Sequence, residues 1–143
     1  MLEVSGSALS AERQRAEVVA ANMANVETTR TPEGGPYRRK EVIFSTSPTN
    51  SFRMLLANTT GEYANLVASP VRLTKVVEDT APPVMRFEPE NPDANSEGYV
   101  AYPNINPVQE MADLLDAVRA YQLNATAVSA SKQIITGALE ILK

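Results

Sequence analysis

The sequence predicts an α+β protein: N- and C-terminal helices pairing as a coiled coil, with a small antiparallel β-rich insert between them. Three observations predict it. The last quarter of the chain repeats apolar residues at alternating spacings of three and four. The start of the chain repeats them more weakly, at spacings of seven. The residues between fall into short β-branched and aromatic runs separated by turn-forming clusters. The expected organisation is an N-terminal helix and hinge over 1–30, a β-rich insert with loops over 31–105, and a long C-terminal helix over 106–143.

The first helix is expected from about Leu2 to Val26. Leu2, Leu9, Ala16 and Met23 stand seven apart, and Val19 and Val26 take the second apolar position of the repeat. Ala8, Ala11, Ala20, Ala21 and Ala24 widen the stripe. Large side chains are few, and Gly6 and several serines lower the intrinsic helix stability, so the isolated helix should fray. Asn25 suits a helix stop, because Asn tolerates the left-handed conformation after a last turn.

The insert begins after the turn Pro32-Glu33-Gly34-Gly35-Pro36. Strand character is read over 37–45 (YRRKEVIFS), 71–78 (VRLTKVVE) and 84–87 (VMRF). Pro48-Thr49-Asn50-Ser51, Thr59-Thr60-Gly61 and Ala81-Pro82-Pro83 mark turns, and 88–98 forms a polar, acidic loop.

The last helix has the clearest pattern. Met111, Leu114, Val118, Tyr121, Ala125, Val128, Lys132, Ile135, Leu139 and Leu142 follow spacings of 3, 4, 3, 4, 3, 4, 3, 4, 3, with Lys132 the one member that is not apolar. That is a coiled-coil seam. Asn106 suits the cap, Pro107 the first helical position, and Gln109 the third residue of a capping box. Gly137 should weaken the last turns. At about 1.5 Å per residue, 107–142 spans roughly 54 Å, about ten residues more than the first helix covers. The uncovered apolar surface therefore requires a further partner, which points to an assembling protein.

Composition narrows the function classes. The 143 residues are 43% hydrophobic, enough for one ordinary domain, but only 6% aromatic and without Trp, so the core should be thin. The net charge of −4 gives no basic surplus for nucleic acid or an anionic membrane. The absence of His and Cys removes the commonest metal ligands, the thiol nucleophile and the side chain best suited to proton transfer near neutrality. The first residues lack the basic segment and apolar run of a secretory signal, and no stretch is long and apolar enough to span a membrane.

The motifs that resemble sites read as structure. Asp93-Ala94-Asn95-Ser96-Glu97-Gly98 matches the first half of a calcium loop, but Asn104 stands where the bidentate Glu is needed, so the stretch reads as an Asx-turn loop. Gly34-Gly35 lacks the flanking residues of a phosphate loop. Arg38-Arg39-Lys40 reads as a solvated edge or a contact to an acidic neighbour. Ser129 and Ser131 read as close helix packing, and Lys132 as reaching an acidic partner or solvent. No nucleophile, base and orienting group assemble, so no catalytic residue, cofactor, metal or small-molecule substrate is expected.

The stretch from Ala21 to Thr29, ANMANVETT, resembles the N-terminal signature of bacterial flagellar rod and hook axial proteins, A-N-N-[IL]-A-N-x-x-T-x. The continuation 30–41 (RTPEGGPYRRKE), together with 77–83 (VEDTAPP), 91–106 (NPDANSEGYVAYPNIN) and 119–127 (RAYQLNATA), is similar in order and spacing to the proximal-rod branch of that family. The resemblance implies a structural subunit of the axial drive shaft, which transmits torque, crosses the periplasm and surrounds the export channel. It implies export through the flagellar type III system without a cleaved signal. It implies partners: the other proximal rod proteins, the inner-membrane-ring adaptor and the distal rod protein. It implies that Leu9, Ala16, Met23 and the seam residues of the last helix meet neighbouring helices. Asn22, Asn25, Thr28 and Thr29 are then the hinge that fixes the exit of the chain, and Tyr121 and Asn124 contact that hinge or a neighbouring subunit. The alternative is a soluble helical adaptor or export chaperone that binds partner helices; such a protein should be stably folded alone.

Overall fold

The computed structural model describes residues 2–46 and 70–141. Their order is α1 (Leu2–Ala24), β1 (Lys40–Thr46), β2 (Val71–Glu78), β3 (Val84–Phe87), β4 (Tyr99–Tyr102) and α2 (Pro107–Ile141). Two terminal helices thus flank a small strand insert. The turns expected at 48–51 and 59–61, and the seam residue Leu142, lie outside the described residues.

Each boundary has a local cause. Asn25 closes α1: its main-chain N–H and its side-chain Nδ2 both donate to the Ala21 carbonyl, at 3.2 and 2.8 Å, satisfying one of the open carbonyls of the last turn. At the start of α2, Asn106 Oδ1 accepts from the N–H of Val108 at 3.0 Å, and Pro107 occupies the first helical position, where no N–H is needed. The strand expected from Tyr37 begins at Lys40, because the Tyr37 N–H donates instead to the Thr28 carbonyl, 3.0 Å away.

Among the described residues the insert forms two two-stranded ribbons. In the first, the Asp79 N–H donates to the Arg39 carbonyl and the Ser45 and Thr74 hydroxyls meet, so β2 runs back along β1. In the second, β3 and β4 are antiparallel, with Val84 opposite Tyr102 and Phe87 opposite Tyr99. β4, only four residues long, is not distinguished by the sequence pattern. It is joined to β3 through an Asx-turn loop, in which Asn91 Oδ1 accepts from the Asp93 N–H and Asn95 Oδ1 from the N–H groups of Glu97 and Tyr99. Gly98 ends this loop at φ 81°, where a Cβ would also lie 3.0 Å from Phe87 Cε2, so only glycine fits without a shift.

The chain forms two compact units. One comprises Met1–Gln14, Phe44–Thr74 and Ala117–Lys143, and the other Arg15–Ile43 and Lys75–Asp116. In the first, Ala11 and Ala117 are buried, and Ser7 Oγ accepts from the Val71 N–H at 3.1 Å while donating to the Val4 carbonyl. In the second, Val19 and Val100 are buried together with two polar side chains, Asn22 and Glu110. Among the described residues, Glu110, Val100 and Asn22 are the largest fully buried side chains. Burying a valine is worth about 1.5–3 kcal/mol, so a core with so few large apolar groups leaves unusual weight on its polar contacts.

Candidate functional site

Asn22, in the last turn of α1, is 0% exposed, and its amide makes four hydrogen bonds. Oδ1 accepts from the Lys40 N–H at 2.9 Å and from the Tyr37 hydroxyl at 3.2 Å. Nδ2 donates to the Lys40 carbonyl at 2.9 Å and to Glu110 Oε2 at 3.0 Å. Two lone pairs and two N–H groups are thereby all used, which is the full capacity of an asparagine side chain. One residue thus gathers the end of α1, the start of β1 and the first turn of α2.

Glu110 is 1% exposed, and a buried carboxylate requires a counter-charge. Arg39 supplies it through Nε, 2.6 Å from Glu110 Oε1. Its guanidinium also pairs with Glu41 through Nη1 and approaches Asp113 at 3.9 Å, while Arg15 reaches Asp113 at 3.5 Å. Burial works against the Arg39 charge, but the hydrogen bond and charge of Glu110, then those of Glu41, outweigh it and push its pKa up. The position of Glu110 in the first turn of α2 adds the favourable field of a helix N-terminus. We term this cluster the polar lock.

Tyr37 closes one side of it. Burial first, then the charges of Glu78 and Glu110, raise the pKa of its hydroxyl above the ordinary value. The sign is that of an acid whose neutral form the fold prefers. Its contribution is complete below about pH 10 and is lost as pH rises through the folded-state value. Tyr102 behaves likewise, because its hydroxyl donates to Glu88 at 2.9 Å. Tyr37→Phe should therefore remove part, and only part, of the fall in urea midpoint seen between neutral and strongly alkaline pH.

The other residues expected at the hinge bond elsewhere. Thr28 Oγ1 donates to Asn25 Oδ1 at 3.1 Å. Thr29 Oγ1 donates to Asp93 Oδ2 at 2.7 Å, and Arg30 lies 3.7 Å from the same carboxylate. Asp93, a residue of the calcium-like stretch, is thus engaged by the hinge. In the other unit, Asn124 Nδ2 donates to the Ala120 carbonyl of its own helix at 2.9 Å, and Tyr121 is 43% exposed.

The helix faces divide by side-chain size. On α1, Ala11, Val19 and Asn22 are buried, whereas Leu9, Ala16 and Met23 are half-buried. On α2, Glu110 and Ala117 are buried and Leu114, Ala125 and Val128 half-buried. Met111, Val118, Ile135 and Leu139 are exposed. In α2 the buried residues Glu110 and Ala117 each precede a residue of the expected seam, Met111 and Val118, whereas in α1 Val19 belongs to the expected repeat and Ala11 to the stripe beside it. What the single chain leaves outward is large and apolar: Val108 78%, Met111 54% and Leu115 52% exposed at the start of α2, and Leu123, Ile134 and Leu139 further along.

Sequence reasoning singled out Asn22 but not its partners Tyr37, Arg39 and Glu110. The available signals were a basic run expected to meet an acidic neighbour and a line of small or polar residues, Glu110, Ala117, Asn124 and Ser131, spaced by seven. Among the described residues no cluster of side chains could hold a metal ion, and no helix is long and apolar enough to cross a membrane.

Comparison with known proteins gives a consistent result. Residues 2–30 match the family described as flagella basal body rod protein, and residues 96–141 match the flagellar basal body rod FlgEFG protein C-terminal family. The first match contains Asn22 and the hinge asparagine, and the second contains Glu110. The flagellar basal-body rod protein FlgC of Bacillus subtilis is 42% identical, over 99% of this chain and 96% of its own. The FlgC proteins of Borreliella burgdorferi and Escherichia coli O6:H1 are 37% and 34% identical, each over 99% of this chain and 95% of its own.

Proposed function

We propose a function from one premise: the chain belongs to the FlgC family of flagellar basal-body rod proteins and is a structural subunit of the basal-body rod. In this reading it occupies the proximal part of the rod and co-assembles with the other proximal rod proteins. It meets the inner-membrane-ring adaptor below and the distal rod protein above. It crosses the periplasm, surrounds the export channel, and transmits torque by stiffness rather than by any chemical step. It reaches that place through the flagellar type III system without a cleaved signal.

The observation that carries this reading is the outward apolar face at the start of α2, where Val108, Met111 and Leu115 stand more than half exposed at helical spacing. A monomer that worked alone would gain nothing from such a face, whereas a subunit buries it against a neighbouring helix. The interface then comprises Leu9, Ala16 and Met23 of α1, and Met111, Leu114, Val118, Tyr121, Ala125, Val128, Ile135, Leu139 and Leu142 of the last segment. The polar lock and the hinge around Asn25, Thr28 and Thr29 set the angle at which the insert leaves the helices.

The test is a Met111→Asp/Leu115→Asp chain in cells lacking their own copy. Both side chains are exposed, so the purified variant should unfold within about 0.5 kcal/mol of the parent per site. Rods should nevertheless fail to form and motility should be lost. Normal swimming would remove this face from the interface.

A further inference from the structure

Among the described residues β3 belongs to a two-stranded sheet and pairs along one edge only, with β4. Its other edge has a defined chemistry. The Tyr99 N–H donates to Asn95 Oδ1 at 2.9 Å, and the Tyr99 carbonyl accepts from the Asn95 N–H at 2.8 Å. Both main-chain groups of Tyr99 therefore point away from β3. Phe87, opposite Tyr99 in the register, is then in a non-hydrogen-bonded pair, and its own N–H and C=O point away from β4. Met85, two residues earlier, has the same orientation. Among the described residues nothing outside β4 bonds to these groups. The strand offers two donors and two acceptors to an added strand.

The side chains along this edge are unusually apolar. Met85 is 50% exposed, Phe87 64% and Tyr99 40%, with the two rings edge-to-face at 5.3 Å. Sheet edges are ordinarily protected by charges that keep other strands away. The one charge in β3, Arg86, instead lies over the Tyr102 ring at 4.5 Å. The surrounding charge has one sign. No Lys or Arg occurs from Phe87 to Asn106. Glu88 is held by Asn91 and Tyr102, and Asp93 by Thr29 and Arg30. The Glu90 and Glu97 carboxylates belong to exposed residues and have no hydrogen bond or ion pair among the described residues. Glu97 adjoins Gly98, whose Cα packs against Phe87, so this acidic rim borders the aromatic face.

We infer that the open edge of β3 receives an extended segment of another protein of the assembly, apolar where it crosses Met85 and Phe87 and carrying Lys or Arg where it passes Glu90 and Glu97. The edge selects extended backbone, the aromatic face selects apolar side chains on alternate residues, and the acidic rim selects positive charge. The inference rests on the reading of the chain as a rod subunit, and it assigns a second contact, separate from the helices.

Two measurements test it. Amide exchange of the segment containing Met85 and Phe87, followed by mass spectrometry, should slow by about 100-fold or more between the purified chain and isolated basal bodies. In cells lacking their own copy, Met85→Pro should abolish swimming while leaving the β3–β4 ladder intact, since proline removes a donor that faces the open edge. Glu90→Lys/Glu97→Lys, which alters no hydrogen bond of the fold, should reduce swimming at least several-fold. Equal exchange in both states, or normal swimming of the charge-reversed chain, overturns the inference. Failure of the unmodified chain to restore swimming or to appear in basal bodies would instead sink the rod reading itself.

Discussion

Arg39→Ala is expected to destabilise the purified chain by about 3–5 kcal/mol, the usual cost of removing one partner from a buried ion pair. The reason lies in what remains. Glu110, 1% exposed in the parent, keeps one side-chain bond, from Asn22 Nδ2, while the 2.6 Å contact to its counter-charge is gone. Arg15 does not substitute, because it is already committed to Asp113. Set against a typical total stability of about 5–15 kcal/mol, the loss leaves the fold marginal. Urea unfolding followed by helical circular dichroism measures it directly. The midpoint should fall with little change in slope, the sign of altered stability rather than altered compactness. Glu110→Ala in the same background should recover part of the loss, because the charge left stranded by the first substitution is removed by the second. Equal and additive losses would mean that Arg39 and Glu110 do not act together. Arg39→Lys should recover little, since an ammonium cannot present separate donors to Glu110 and Glu41 as the guanidinium does.

The parts of the fold that were legible in the sequence are those decided locally. The start of α2 was readable because a cap and a proline suffice to set it, and β3 because prolines precede it and its run is β-branched and aromatic. The end of α1 was readable because the Asn25 side chain bonds the Ala21 carbonyl four residues back. The lock was not readable, for a physical reason. Its bonds join residues 71 and 88 positions apart, and no local rule says which charge meets which. Burial within one chain follows a different rule from periodicity. Periodicity weights large apolar side chains, whereas the buried positions of the helices are held by Ala11, Val19 and Ala117 and by hydrogen-bonded Asn22 and Glu110. The large side chains are then turned outward, where a single chain gives them nothing to pack against. In an assembling subunit, a sequence pattern therefore records contacts that one copy does not contain.

The same reasoning distinguishes two roles for the lock, stability and specificity. Replacing Arg39 and Glu110 together, as Arg39→Met/Glu110→Leu, removes both charges and leaves side chains of similar volume. Such a replacement is often neutral or stabilising by about 1–4 kcal/mol, because desolvating the charges no longer opposes folding. The urea midpoint should therefore recover most of what Arg39→Ala loses, offset by the Asn22 Nδ2 N–H that Glu110 no longer accepts. Swimming should not return. A fully bonded asparagine opposite a carboxylate accepts one arrangement of α1, β1 and α2, since any slip leaves donors and acceptors buried and unpaired. Met and Leu accept several, as apolar pairs do when a buried polar residue that fixes helix register is removed. A subunit whose insert leaves the helices at a variable angle cannot present the same faces to each neighbour, however stable it is alone. Restored stability with absent rods would thus assign the lock to register. Restored stability with normal rods would mean that packing of the right volume does everything that Arg39 and Glu110 do, and that their charges are incidental to assembly.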